Sequence, residues 1–470
     1  MLFRSVSPPF FALILTACAA GPDYKRPAAL PPEHVRLTEA LENGAVVPSR
    51  LPERWWQLFK DPELDRLVTQ ALAKNTDLRV AAANLQRARG VLSEAGAARL
   101  PTSNVSAQFT NSQQVIPALN RTVTNDFFSV GFDASYEIDL FGGISRSIEA
   151  ARADAASAQA AVDAARVSVA AETARAYASA CGFGEQADVA RETAELQAKT
   201  LDLTQRRLAA GRGTQAEVDQ ATVLVEQARA QIPVFEAERR SALYALAVLT
   251  GDAPAAILDS AAARCRTVPM AGEPLPVGDG QALLARRPDV RQAERALAAD
   301  TARIGVATAE LYPKISLLGS TSLGATRFSN LGSAESVGYS VGPQIKWNFP
   351  FSGAARARIR ESKAVAEGSL ARFDGTVLTA LKEAEQSLAR AGGATEREAA
   401  LRRAMSASTD AARLSRTRFD FGADSFLQLL DAERQRAQTR AALAQAEADR
   451  ADAQISVFKA LGGGWEAAKP

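Results

Sequence analysis

Few residues in this chain of 470 can do chemistry, and their scarcity is informative. There is one histidine, His34, and there are three cysteines, Cys18, Cys181 and Cys265. Zinc and iron centres draw mainly on His and Cys, and general acid–base catalysis draws on His most often. With one His and no nucleophile–base set, phosphate loop or ligand cluster in the sequence, no enzyme, metal or cofactor is expected. Cys18 is the exception, because its surroundings point to covalent modification. Arg4 precedes the apolar run Phe10-Phe11-Ala12-Leu13-Ile14-Leu15, which is far too short to span a bilayer. The run ends at Leu15-Thr16-Ala17-Cys18, which matches the bacterial lipobox. Residues 1–17 therefore read as a signal peptide and Cys18 as a lipidation site that becomes the acylated N-terminus. Each buried methylene of such an anchor adds about 0.8 kcal/mol of membrane affinity. Ala19, standing where an Asp would favour the inner membrane, favours the outer one. Residues 18–60 read as a lipidated, Pro-rich strap without periodicity.

The elements that would follow such an anchor are set by composition and pattern. The 55 basic and 53 acidic residues nearly cancel, leaving +2 and no electrostatic footprint for nucleic acid. At 47% apolar and 23% charged, the chain is neither disordered nor a polytopic helical membrane protein. Alanine makes up about a fifth of it, which favours helix and close helix–helix approach.

One unit is used twice, at an offset of about 210 residues. Asp77-Leu78-Arg79 answers to Asp289-Val290-Arg291, and Arg99-Leu100-Pro101 to Leu311-Tyr312-Pro313. Asp139-Leu140-Phe141-Gly142-Gly143 pairs with Phe349-Pro350-Phe351-Ser352-Gly353, and Arg207 through Gly211 with Arg418 through Gly422. The first copy is predicted over 61–250, with a hairpin at 102–140 and helices at 144–210 and 214–250. A linker at 251–280 leads to the second copy at 281–464, with a hairpin at 314–350 and helices at 353–421 and 425–461.

Each hairpin alternates. Phe128, Val130, Phe132, Ala134, Tyr136 and Ile138 share one side of a strand; Ser129, Gly131, Asp133, Ser135 and Glu137 share the other. Val337, Tyr339, Val341, Pro343, Ile345 and Trp347 repeat the pattern. Strands of ten or more residues with one apolar face fit an outer-membrane barrel wall, although a two-sheet sandwich would alternate identically. Four strands cannot close alone, and an open edge in lipid is not tolerated. A dimer, a trimer or a tetramer would each close the barrel.

In the long helix the small and apolar residues from Ile148 to Ala194 step 4-3-4-3, a heptad seam whose alanines imply a closely packed neighbour. That helix should run roughly 100 Å, with Gly182 and Gly184 marking a kink or an attached structure. Its far turn, Gly211-Arg212-Gly213, leads into Thr214-Gln215-Ala216-Glu217, a capping box. Gly422-Ala423-Asp424 leads into Ser425-Phe426-Leu427-Gln428 in the same way.

With these elements in order, the chain resembles the TolC-like outer-membrane efflux lipoproteins of the NodT and OprM type. The resemblance covers essentially the whole mature chain. It is carried by Cys18, Gly21-Pro22-Asp23-Tyr24, Trp55-Trp56, Asp61-Pro62-Glu63-Leu64, Arg287-Pro288-Asp289-Val290 and the closing Lys459-Ala460-Leu461-Gly462-Gly463-Gly464-Trp465. It implies a mainly α fold with a small membrane β-barrel contribution: long antiparallel helical hairpins and a homotrimer with a twelve-stranded barrel and a helical tunnel. It also implies an inner-membrane RND-type pump and a periplasmic adaptor that docks at the tips Gly211, Arg212, Gly213, Gly422, Ala423 and Asp424. Carried over by position, Leu427, Asp431 and Arg434 would form the periplasmic aperture gate, with Asp219 as a weaker counterpart in the first copy. If the linker wraps the tunnel as in relatives, Cys181 and Cys265 meet in a disulfide; otherwise they are two small thiols.

The expected function is thus a passive outer-membrane conduit for drugs or other small solutes. The alternatives are a conduit for type I protein secretion or metal-ion efflux, or a coiled-coil scaffold that transports nothing.

Overall fold

The computed structural model describes residues 19–27, 31, 35, 37, 46–47, 49, 51–117, 121–272, 274–278, 280–348 and 353–464. The signal peptide, Cys18, His34 and Trp465 lie outside them. The chain forms two compact units. The first takes residues up to 27, 86–157 and 293–373; the second takes 28–85, 158–292 and 374–470. The duplication does not coincide with these units, because each copy contributes to both.

The first unit is built on one antiparallel sheet. Its strands β2 (Thr102–Ile116), β3 (Arg121–Ile138), β5 (Lys314–Ala325) and β6 (Val337–Lys346) lie in the order β2-β3-β5-β6. Two short strands, β1 (Val46–Val47) and β4 (Leu275–Pro276), pair in parallel in the second unit. The register of the large sheet follows the alternation: Val105 opposes Phe132, Phe109 opposes Phe128, and Tyr136 opposes Leu317. Ile315 opposes Ile345 and Thr321 opposes Tyr339. Because side chains alternate with period two, this register gathers the apolar set on one face. The Phe109 and Phe128 rings lie 4.8 Å apart, a cross-strand pair. The face is open: Tyr339 is 84% exposed, Val341 75% and Ile345 69%. Among the described residues, the outer edges of β2 and β6 pair with nothing, and no helix is long and apolar enough to cross a membrane.

The helices are α1 (Pro62–Lys74), α2 (Thr76–Ala97), α3 (Gly143–Ala209), α4 (Gln215–Thr250), α5 (Gly280–Arg286), α6 (Pro288–Ala309), α7 (Ala354–Asp420) and α8 (Phe426–Ala460). Both α3 and α7 have 67 residues, while α4 and α8 have 36 and 35, so the duplication holds at the level of element length. α3 is continuous through Gly182 and Gly184, and the glycines allow the linker and α8 to approach closely. A Cβ on Gly184 would sit 2.7 Å from the Cys265 carbonyl oxygen, and one on Gly182 would sit 3.1 Å from the Ala448 Cβ.

The main core lies in the second unit. Asp61 caps α1, accepting hydrogen bonds from the backbone of Glu63 and Leu64 and from the Tyr177 hydroxyl. The capped helix brings Trp55 and Trp56 into the core, where Trp55 stacks on Phe458 at 4.8 Å. Truncating an aromatic so buried costs about 3–5 kcal/mol. The closing glycines make way for it, since a Cβ on Gly463 would meet the Trp55 ring at 2.7 Å. Arg287, also buried, donates to both oxygens of Asp289, to Glu383 and to the Ala460 carbonyl, which ties α6, α7 and α8 together.

Candidate functional site

Three places carry the residues singled out above: the strap of the first unit, and the linker and hairpin tips of the second.

The strap that follows Cys18 is keyed into the first unit by two glycine contacts. Gly21 has φ +85°, and a Cβ there would lie 2.5 Å from Gly305 Cα. A Cβ on Gly142 would lie 2.8 Å from Ala19 Cα. Ala20 donates to the Phe141 carbonyl, and the buried Arg146 donates to the Ala20 carbonyl, to Asp23 and to Glu149. Tyr24 donates to Glu294, and burial together with the Glu294 charge pushes its phenol up to about 12. Arg26 pairs with the same carboxylate at 3.4 Å. Backbone meets backbone here, so a side chain has nowhere to go. Gly305→Ala is expected to cost about 1–3 kcal/mol through overpacking against Arg146 and Ala20. Faster proteolysis within residues 19–27, with the rest of the chain still resistant, is the expected readout.

In the linker, Cys181 and Cys265 are bonded, with their Cα atoms 4.9 Å apart. Beside the bridge the Val268 amide donates to Glu185, and Arg266 pairs with Asp188 and Glu236. Gln454 holds Ala271 by two hydrogen bonds: its Oε1 accepts from the Ala271 amide, and its Nε2 donates to the Ala271 carbonyl. Burial, and after it the neighbouring Glu447 carboxylate, raises the Glu185 carboxyl above its ordinary value, against the pull of the Val268 amide and Arg440. A raised carboxyl holds its proton longer folded than unfolded, so stability falls as pH rises through the folded value. Glu185→Gln is therefore expected to be more stable than the parent at about pH 8. The advantage should vanish by about pH 3, where both states are protonated; thermal melts across that range check it.

The tips are two copies of one device. At the first, Gly211 takes φ +66° and Arg212 donates back to the Arg207 carbonyl at 2.8 Å. At the second, Gly422 takes φ +75° and Ala423 donates back to the Arg418 carbonyl at 2.8 Å. This is the glycine-terminated helix end that satisfies orphan carbonyls. The return helices α4 and α8 begin with complete capping boxes, Thr214 with Glu217 and Ser425 with Gln428.

Their cores differ. Phe419 packs on Phe426, Leu429 and Leu430 in the second tip, with Ala221 in the same cluster and Arg207 lying 4.4 Å above the Phe419 ring. Arg418 reaches across the second turn to Asp424 at 2.7 Å. In the first copy Leu208 and Gln215 hold the places of Phe419 and Phe426, and Gly213 that of Asp424.

Leu427 is 58% exposed and turned away from the tip core. Asp431 accepts from Arg434 at 3.2 Å, one helical step away on α8. Asp219, exposed and bonded to Gln215, falls one position short of the Asp431 equivalent when the capping boxes are aligned; that place belongs to Gln220. Sequence reasoning missed Glu433, which is buried between Arg416 and Arg436. Its only sequence signal was an acid flanked by arginines at helical spacing, which is common on solvated faces.

The chain matches the family model described as "Outer membrane efflux protein" over residues 67–252 and 280–463. It is similar to Outer membrane protein OprJ of Pseudomonas aeruginosa, 32% identical over 466 residues, which span 98% of this chain and 96% of that protein. It is 30% identical to Nodulation protein T of Rhizobium leguminosarum bv. trifolii, over 99% of this chain and 98% of that protein. The solved structure of the outer-membrane channel OprN superposes with a TM-score of 0.90 at 35% identity, covering 95% of this chain and all of that one.

Proposed function

The chain belongs to the outer membrane efflux protein family, and from that membership we propose how it works. It is an outer-membrane channel component of a tripartite efflux system. The observation that carries the mechanism is the four-stranded sheet, with an open apolar face and two unpaired edges. Three chains, each joining β6 to the β2 of the next, close twelve strands into one pore. The apolar face meets lipid, and the face with Ser129, Asp133 and Glu137 lines water.

The channel is passive and performs no chemistry of its own, so an inner-membrane RND-type pump supplies the energy. A periplasmic adaptor docks on the six hairpin tips around Gly211–Gly213 and Gly422–Asp424, and small solutes pass. Acyl chains on Cys18 anchor the strap. Purified protein in planar bilayers should give discrete conductance steps and run as a trimer; a monomer without conductance would exclude this reading.

The gate is assigned to Leu427, Asp431 and Arg434. Three Asp431 carboxylates brought around one axis would repel each other, and each has Arg434 as compensation at 3.2 Å. Asp431→Ala with Arg434→Ala leaves small side chains where three charged pairs would narrow the aperture, and it should raise single-channel conductance or open antibiotic leakage. Unchanged conductance would remove these residues from the gate.

A further inference from the structure

A hollow of about 590 Å³ opens within the second unit, walled by α3, α4 and α8. Val189 and Gln197 come from α3, Leu224, Gln231 and Phe235 from α4, and Ala437 from α8. Pro233 lies inside α4 between two of these wall residues. It has no N–H for the Arg229 carbonyl, so one backbone hydrogen bond of α4 is missing beside the hollow.

Eight of the fifteen wall residues are apolar, five are glutamines, and Thr193 and Arg434 complete the lining; the Arg434 charge is met by Asp431, and no carboxylate lines the hollow among the described residues. Gln197 is 4% exposed, and its Oε1 is buried without a hydrogen-bond partner. An unmet acceptor of that kind costs about 1–3 kcal/mol and is relieved by any donor that reaches it. The size and the apolar walls with amides among them are those of a small-molecule site.

We propose that this hollow is a binding site for an uncharged amphiphile that carries an N–H or O–H donor on an apolar body. The donor bonds Gln197 Oε1, and the body packs against Val189, Leu224 and Phe235.

The test uses the full-length chain in nanodiscs. The probes are N-phenyl-1-naphthylamine, which has one N–H, and its N-methyl derivative, which has none. Wild type should show saturable fluorescence above the lipid background, with the N-methyl compound at least about fivefold weaker, the loss of one hydrogen bond to a buried acceptor. Ala437→Phe fills the hollow and should abolish the saturable component. Ala228→Leu, which fills it from α4, serves the same purpose should the first variant misfold. Gln197→Leu should keep binding but erase the preference for the N–H compound. Saturable binding that survives both filling variants, no saturable binding in wild type, or a preference that persists in Gln197→Leu would each overturn the proposal.

Discussion

Val341→Lys is expected to abolish insertion of the channel, whereas Ser340→Lys, one residue away, is expected to be tolerated. Val341 stands in the middle of β6 on the open apolar face, opposite Gly319 in the register. Ser340 points to the other face and shares a 2.9 Å hydrogen bond with Ser320. A lysine facing lipid near the bilayer midplane costs about 2–4 kcal/mol. The trimer would carry that cost three times, an amount comparable to the whole stability of an ordinary domain. On the water-lined face the same lysine stays solvated and loses only one exposed serine pair. Heat-modifiable mobility and the fraction recovered in outer membranes measure the contrast. Equal behaviour of the two variants would mean that the apolar face is covered by protein.

The second large effect belongs to the disulfide. The bridge between Cys181 and Cys265 closes a loop of 84 residues, and the chain-entropy account assigns a loop of that length about 4–5 kcal/mol. The effect acts mainly on the unfolded chain, because the linker has other grips in the native state. Ile257, Ala262, Val268, Ala271 and Leu275 are buried in the main core, and Gln454 pairs with Ala271. Reduction, or Cys181→Ala with Cys265→Ala, should lower the guanidinium midpoint strongly while the linker resists protease in the native state. An unchanged midpoint would show that the bridge constrains nothing. Early cleavage in the linker would show that the bridge, and not the apolar grip, holds it down.

Local signals in this chain specify local structure directly. Thr214 with Glu217 and Ser425 with Gln428 mark helix starts that need only three residues to specify, and both boxes are in the structure. The alternation from Phe128 to Ile138 set the apolar face, because a strand's periodicity allows no other sharing of sides. Readings that depended on distant partners fared differently. Gly182 and Gly184 suggest a kink or an attached structure, and the linker bonded at Cys265 is such an attachment; which of the two it would be is set by Cys265 and Ala448, far along the chain. Gly21 and Gly305 meet across 284 positions, and neither carries any local mark of the other. Asp219 was matched to the gate by local likeness, whereas alignment on the capping boxes puts Gln220 there. The hollow beside Gln197 has no local mark beyond Pro233, because it depends on how three helices pack.

The unequal side chains that the two tips contribute bear on the symmetry of the assembly. In the proposed trimer six hairpins form a ring that is sixfold only in outline. Three carry the Phe419–Phe426 core and the Arg418–Asp424 cross-brace, and three carry Leu208, Gln215 and Gly213 in those places. A ring of identical adaptor subunits docked on that trimer would therefore be offered two kinds of tip in alternation, and its contacts would follow threefold order.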